Sequence, residues 1–422
     1  MLNKFLIIIP VGLIISRQPS LLTRPRMWAE EATVHLQNSF ILNLWEMLFF
    51  IPEHVGYMCF NINITTIIIN IFPIEYAAII STTLGLVMQT IGHLIILGSK
   101  NKIWGSMTRR LITSTALIII PVGTGETWLN TTCAHYHLAV LSVIILLDFS
   151  IHASKTKNII YSILLILAAL SSPVGCFMII AFYYAKFFYK FCISFTCILC
   201  YSIACLIQTA ISITNIYNLD NGLSATRFED FQILELPSVL LNDVIIKSAL
   251  GESFLFLTIQ IINKISNITN ISSLVLYHSL FYIILLTFVF LRKKIFPENF
   301  KKVLFVAFFV TFLLLFLSVS TGTTLLGRNA LLPGSIFVLL ICLSLNLNVK
   351  LIKFLIIIFL SYNIYYYYTE SDLYYSEKWP TWKTELQYWR DNPDHKIRVW
   401  PRQNSHWHFL GENDWRISLP NE

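Results

Sequence analysis

Long apolar runs separated by short polar connections dominate the chain as far as residue 368. Residues 158–170, 191–213, 273–291, 303–319 and 351–368 are almost free of charge and are long enough, or nearly so, to cross roughly 30 Å of hydrocarbon as helices. The alternation of polar and apolar positions that marks a membrane β-barrel is missing. The first run, residues 5–15, follows Lys4 and leads into Arg17-Gln18-Pro19, where a cleaved leader would need small residues, so it reads as a retained first helix. The pattern predicts an all-α polytopic membrane protein of about eleven spans, ten to thirteen being compatible with the runs.

Residues 57–72 and 74–97 cannot both cross if the external loops are to stay on one side. Asn61, Asn63 and Asn70 with Pro73 and Glu75 make the first of them the segment expected to stay at the outer interface. Past residue 368 the pattern changes. Residues 369–422 hold nine acids, seven Lys or Arg and six of the ten tryptophans, so a transmembrane domain over 1–368 is expected to carry a small external tail over 369–422. Within that tail, Trp382 to Trp389 has helical spacing and Ile397 to Pro401 alternates like a short strand. Its tryptophans, Trp379, Trp382, Trp389, Trp400, Trp407 and Trp415, suit an interfacial belt.

Composition agrees with a membrane solvent: 56% of residues are hydrophobic, 13% are charged and mean hydropathy is +0.67, too little polar surface for a soluble globule of 422 residues. The net charge of +7 has a local origin. Lys100, Lys102, Arg109, Arg110, Lys155, Lys157, Lys186, Lys190, Lys294 and Lys350 fall in alternate connections, which the positive-inside rule assigns to the cytoplasm, leaving most acids outside. No basic groove or nucleic-acid motif is present, and no nucleic-acid partner is expected. Four of the eight cysteines lie within one apolar run, where packing explains them better than zinc.

Three external groups can carry chemistry. The first is Arg24, Arg26 and Trp28 with the adjacent acids Glu30 and Glu31, a pair that must overcome mutual repulsion in a stretch poor in acids. Leu36, Phe40, Ile41 and Leu44 follow at helical spacing, predicting an amphipathic helix on the membrane. A carboxylate beside basic residues at a dry edge can serve as a general base or hold a metal ion, and arginine binds phosphate. The second group is Gly125-Glu126-Thr127-Trp128-Leu129-Asn130 with His135 and His137, polar residues whose depth demands partners or a cavity. The third is Arg328 in Gly327-Arg328-Asn329, an isolated guanidinium that suits a lipid phosphate.

The first helix opening onto Trp28-Ala29-Glu30-Glu31, a further acid in the next external loop and the aromatic tail resemble the GT-C superfamily of integral-membrane glycosyltransferases. That superfamily includes protein O-mannosyltransferases, lipid A aminoarabinose transferases and oligosaccharyltransferases. Arg24 to Glu31, Gly56-Tyr57, Glu126 to His137, Gly327-Arg328 and Trp400-Pro401 resemble bacterial polytopic members in particular. The resemblance implies transfer of a sugar from a polyprenyl-phosphate-linked donor to a glycan, lipid or protein acceptor at the external face of the bacterial cytoplasmic membrane. Glu30 or Glu31 would be the base, Glu126 would assist, and Arg328 would hold the departing lipid phosphate. Arg24, Arg26, Trp28, Tyr57, Asn130, His135 and His137 would line the substrates. The Glu-Glu pair stands where many members carry Asp-containing pairs, so a divalent cation is an open expectation. A flippase or transporter for a lipid-linked saccharide is a rival, although few ionisable residues beyond His93 and His278 fall within the runs. A polymerase or ligase of the O-antigen type is another, although the long external connection offers only Arg227.

Overall fold

The computed structural model describes residues 4–53, 55–120, 127–149, 154–218, 236–250, 252–283, 299–320, 329–344, 380–400 and 416–420. The chain is mostly helical. Its principal helices are α1 (Lys4–Arg17), α2 (Leu44–Leu48), α3 (Phe60–Ile69), α4 (Ala77–Gly98), α5 (Met107–Ile119), α6 (Ala134–Asp148), α7 (Lys155–Ser171), α8 (Pro173–Tyr189) and α9 (Phe195–Asn218). They continue with α10 (Glu252–Thr269), α11 (Ser273–Ile283), α12 (Asn299–Ser320), α13 (Leu331–Ser344) and α14 (Trp382–Asp391). Two short antiparallel strands, β1 (Ile397–Arg398) and β2 (Arg416–Ile417), close the tail.

Helix α6 is the axis of the molecule. Its sequence is apolar on every side and every one of its residues is buried, the signature of a helix with no solvent face. It packs against α4, α7, α8 and α13, while α9 lies over α7 and α8 and α12 over α8. Serine and proline set the junction of α7 and α8: Ser172 caps the Val174 amide at 3.2 Å, and Pro173 takes the first helical position, where its missing N–H is harmless. Gly85 on α4 is fixed by a close approach. A Cβ there would come within 2.8 Å of the Asn130 backbone, so only glycine lets the connection before α6 lie directly on α4.

Two helices among the described residues, Ile74–Gly98 and Phe195–Asn215, are long and apolar enough to cross a membrane by length and composition. Leu6–Arg17, Phe60–Ile69, Ala134–Asp148, Pro173–Tyr189, Ser273–Ile283 and Leu331–Ser344 are apolar but shorter. The expected number of about eleven full-length spans is therefore not reached among the described residues, and the 351–368 run lies outside them. Of the segments 57–72 and 74–97, the second falls in a helix long and apolar enough to cross, whereas at 1.5 Å per residue α3 covers only about 15 Å, and its polar residues Asn61, Asn63, Thr65 and Thr66 are all buried.

The predicted amphipathic helix beginning at Leu36 does not form as one element. A π-helical turn, Glu31–Leu36, runs into Gln37–Ser39 and stops; α2 starts afresh at Leu44. Asn43 causes the restart through a reciprocal capping box, its side chain accepting from the Trp45 and Glu46 amides while Glu46 accepts from the Asn43 amide at 2.9 Å. Leu36 consequently joins an interior cluster, whereas Phe40, Ile41, Leu44 and Trp45 are exposed.

The tail also departs from expectation in where its aromatics go. Both predicted elements form, α14 and β1, but Trp382 and Trp389 are buried with Met27, Ala32, Leu36, Ala77, Ala78 and Ile417 in one cluster. Trp382 donates its indole N–H to the Ile74 carbonyl at 2.9 Å, and Trp400 meets Trp28 edge-on at 5.5 Å between ring centres. These three indoles are core residues of a joint rather than a belt. Trp379, Trp407 and Trp415 lie outside the described residues.

Candidate functional site

Residues 24–28 leave α1 and the short Ser20–Thr23 turn without helical structure before the chain turns helical again at Ala29, and the tail fixes them there. Trp400 donates its amide to the Met27 carbonyl at 3.0 Å and accepts from the Ala29 amide at 2.5 Å, so a residue of the tail pairs like a strand with the segment that carries the two acids.

The adjacent acids then part ways. Glu31 is fully buried and both of its oxygens are occupied: Oε1 accepts from the Thr131 amide at 2.5 Å, the Thr131 hydroxyl at 2.6 Å and the Thr132 amide at 3.1 Å, and Oε2 accepts from the Trp28 amide at 3.1 Å. Burial pushes its pKa up, and the bonds from Thr131 and Trp28 pull it back down. A carboxylate met by four donors ties two chain segments together. Glu30 is only half-buried, and its charge lies near the opening of α3, where, after burial, it helps push the Cys59 thiol up to about 12. Arg24 is exposed. Arg26 is half-buried, its guanidinium 5.8 Å from the Trp400 ring centre; burial and the neighbouring Arg24 lower its pKa to about 10.

The partner segment, residues 127–133, is braced from every side. Gln89 on α4 donates to the Thr127 carbonyl at 3.3 Å and accepts from the Leu129 amide at 3.1 Å. His137 Nε2 donates to the same Thr127 carbonyl at 2.9 Å, Asn130 accepts from the Cys133 amide at 2.8 Å, and Asn61 on α3 donates to the Thr131 carbonyl at 2.6 Å. Leu129 is held at φ 56°, a left-handed conformation costly for a branched side chain and sustained only by such over-determined surroundings.

Of the residues singled out from sequence, the structure joins Trp28, Glu31, Asn130, His135 and His137 to one assembly. His135, like Asn130 and His137, bonds to the backbone of its own loop, meeting the Thr132 carbonyl at 2.7 Å. Glu126 and Arg328 lie outside the described residues. Their neighbours do not: Thr127 belongs to the braced segment, and Asn329 accepts a 2.5 Å bond from the Tyr136 hydroxyl in the first turn of α6. Tyr57 is half-buried next to Gly56, whose carbonyl accepts from Asn215 of α9 at 3.1 Å, while Gln208 on the same helix holds the Met58 carbonyl at 3.0 Å.

No family model, curated protein or solved structure matches the chain. The site therefore rests on its own geometry.

Sequence reasoning overlooked Thr131 and Thr132, whose amides hold Glu31, and the hub at Asn61 and Asn63. Asn63 bonds His35 at 2.9 Å and donates to the carbonyls of Leu48 at 3.1 Å and Phe50 at 2.8 Å. The signal was two asparagines at i, i+2 in an apolar run. Arg17, the last residue of α1, is buried; it donates to the Ile118 carbonyl and lies 4.3 Å from the Trp128 ring centre. A divalent cation needs several oxygen ligands in one place. Among the described residues no three His, Cys, Asp or Glu side chains gather to hold one.

Proposed function

We propose that this chain is an integral-membrane glycosyltransferase of the GT-C type, moving a sugar from a polyprenyl-phosphate-linked donor to a glycan, lipid or protein acceptor at the external face of the bacterial cytoplasmic membrane. The observation that supports this reading is the division of labour between the adjacent acids: Glu31 is tied to Thr131, and Glu30, in the same stretch of sequence as Arg24 and Arg26, is half-buried. Glu30 takes the proton of the acceptor hydroxyl or amine as that atom bonds to the anomeric carbon. The sugar–phosphate bond breaks, and its electron pair leaves with the lipid phosphate, an anion that Arg24, Arg26 and Arg328 suit.

A membrane setting is supported by large apolar side chains such as Ile163, Phe187, Phe188, Phe195 and Leu206, which project from helix surfaces where water would oppose them. About eleven spans, with Lys100, Arg109, Lys294 and Lys350 at the cytoplasmic side, remains the topology proposed. A flippase reading draws on His93 and His137, ionisable groups deep in the bundle.

The test is Glu30→Gln in purified protein reconstituted with a polyprenyl-phosphate sugar. A positioned base contributes about 10²–10⁴-fold to rate, so transfer should fall by that factor while donor binding and thermal midpoint stay near those of the parent. Undiminished transfer would remove Glu30 from the chemistry. Donor translocation without transfer, unaffected by the substitution, would favour the flippase.

A further inference from the structure

Beneath the braced 127–133 segment, between α4, α6 and α13, lies a cavity of about 20 Å³ lined in part by Gln89, His93, His137 and Ser335. That is room for a water molecule. The polar groups around it are unevenly used. His137 Nε2 faces the Thr127 carbonyl, which can only accept, so that nitrogen carries the proton and Nδ1 of the neutral ring is an acceptor. His93 Nδ1 bonds the Ser114 hydroxyl at 3.2 Å, leaving Nε2. Gln89 holds the backbone of residues 127 and 129 through both its amide atoms, with one N–H and one lone pair over. His93, His137 and Ser335 all line the cavity and are at least nine-tenths buried, and among the described residues His137 Nδ1, His93 Nε2 and Ser335 Oγ make no hydrogen bond to another protein group.

We propose that one water molecule is bound in this cavity by His93 Nε2, His137 Nδ1 and Ser335 Oγ, and that it braces the 127–133 segment from below by completing the bonding of His137. Three partners are the usual number for a buried water, and polar groups left bare at this depth would each carry a desolvation cost. A cation fits poorly: no carboxylate lines the cavity, and the Arg17 guanidinium lies over the ring of Trp128, which itself packs 4.6 Å from His137. The inference rests on this geometry and is independent of the transferase reading.

A high-resolution cryo-electron-microscopy map of the full chain in lipid nanodiscs is the direct test. A single peak within hydrogen-bond distance of all three atoms is the expected result. An empty cavity, a direct His93–His137 bond, or a peak at metal-ligand distances that a chelator removes would each overturn the proposal. Ser335→Ala gives a second reading by thermal midpoint in detergent. If the cavity holds water, the variant loses one of its anchors and melts several degrees lower. If the cavity is dry, the substitution removes an unsatisfied buried hydroxyl and the midpoint stays level or rises.

Discussion

Two buried carboxylates sit at opposite ends of α6, and they are stabilised in different ways. Glu31 reaches the segment just before the helix N-terminus and is met there by neutral donors, among them the Thr131 amide and hydroxyl and the amides of Thr132 and Trp28. Asp148 is the last residue of the helix and is met by the Ser99 hydroxyl, the Trp104 indole at 3.1 Å, the Tyr161 hydroxyl at 2.6 Å and the Lys157 ammonium. Helix polarity accounts for the contrast. Amides and the positive end of the macrodipole favour an anion ahead of the N-terminus, whereas the C-terminus repels one, and there a full cation is needed. The ends differ in use as well: the Glu31 end adjoins the half-buried Glu30, and the ion-paired end closes a junction of α4, α6 and α7.

Deleting Glu31 altogether has the largest expected effect. Glu31→Ala leaves four donors without a partner, each costing about 1–3 kcal/mol when buried, so a loss on the order of 4 kcal/mol should show as a collapse of folded yield in detergent. Removing charge while keeping shape probes the comparison itself. Asp148→Asn turns an amide toward Lys157 and Tyr161 and should cost about 3 kcal/mol, because a buried ion pair is broken from one side. Glu31→Gln keeps an acceptor for Thr131 and Thr132 and opposes only the Trp28 amide, so about 2 kcal/mol is expected. Thermal midpoints of the two amide variants decide the matter: equal losses would mean that the Lys157 charge contributes nothing and that helix polarity is not the cause.

How much of this was legible in the sequence follows from the range over which each signal acts. The helical class, the shortness of α3, and the elements at Trp382 and Ile397 are written in local periodicity. The special standing of Glu30-Glu31 was legible from the scarcity of acids around it. Their separate roles were not, because Glu31 is defined by Thr131, one hundred residues away. Asp148 drew no attention, being a single acid at a helix end whose partners arrive from Ser99, Trp104 and Lys157. The inward turn of the tail tryptophans was hidden for the same reason: interfacial and interior tryptophan look alike until Met27 and Ala77 are known to lie opposite.

A third buried carboxylate extends the comparison into the tail. Glu385 on α14 accepts from the Arg398 amide at 2.7 Å and guanidinium at 2.6 and 2.9 Å, and meets His395 at 3.0 Å. Burial raises its pKa, but the bonds from Arg398 and His395 outweigh that and hold it below the usual range. A lowered folded-state pKa means stability that is complete above the unfolded value of 4.5 and is lost as pH falls through the folded one. Glu385→Gln should therefore cost the tail about 1–2 kcal/mol at neutral pH and little in strong acid. Protease accessibility of the tail as a function of pH checks this; a loss independent of pH would assign Glu385 a packing role only.

The smallest effect belongs to Glu75 and Arg390, which link the start of α4 to α14 across the surface. Their side chains are 37% and 46% exposed, so solvent screens the pair and it should contribute no more than about 1 kcal/mol despite direct contact. Arg390→Ala is expected to lower the thermal midpoint only slightly, and 0.5 M salt should reduce even that difference, because screening acts on exposed charges. The hydrogen bond from Arg390 also holds the Glu75 carboxyl below its ordinary value, so the small contribution is present above pH 4.5 and fades as pH falls further. Loss of the tail from its seat in Arg390→Ala, seen as rapid proteolysis near residue 380, would show that the surface pair holds the joint. In that event the buried tryptophans Trp382 and Trp389 would contribute less than their burial implies, and the ordering from interior to surface carboxylates would fail at its last step.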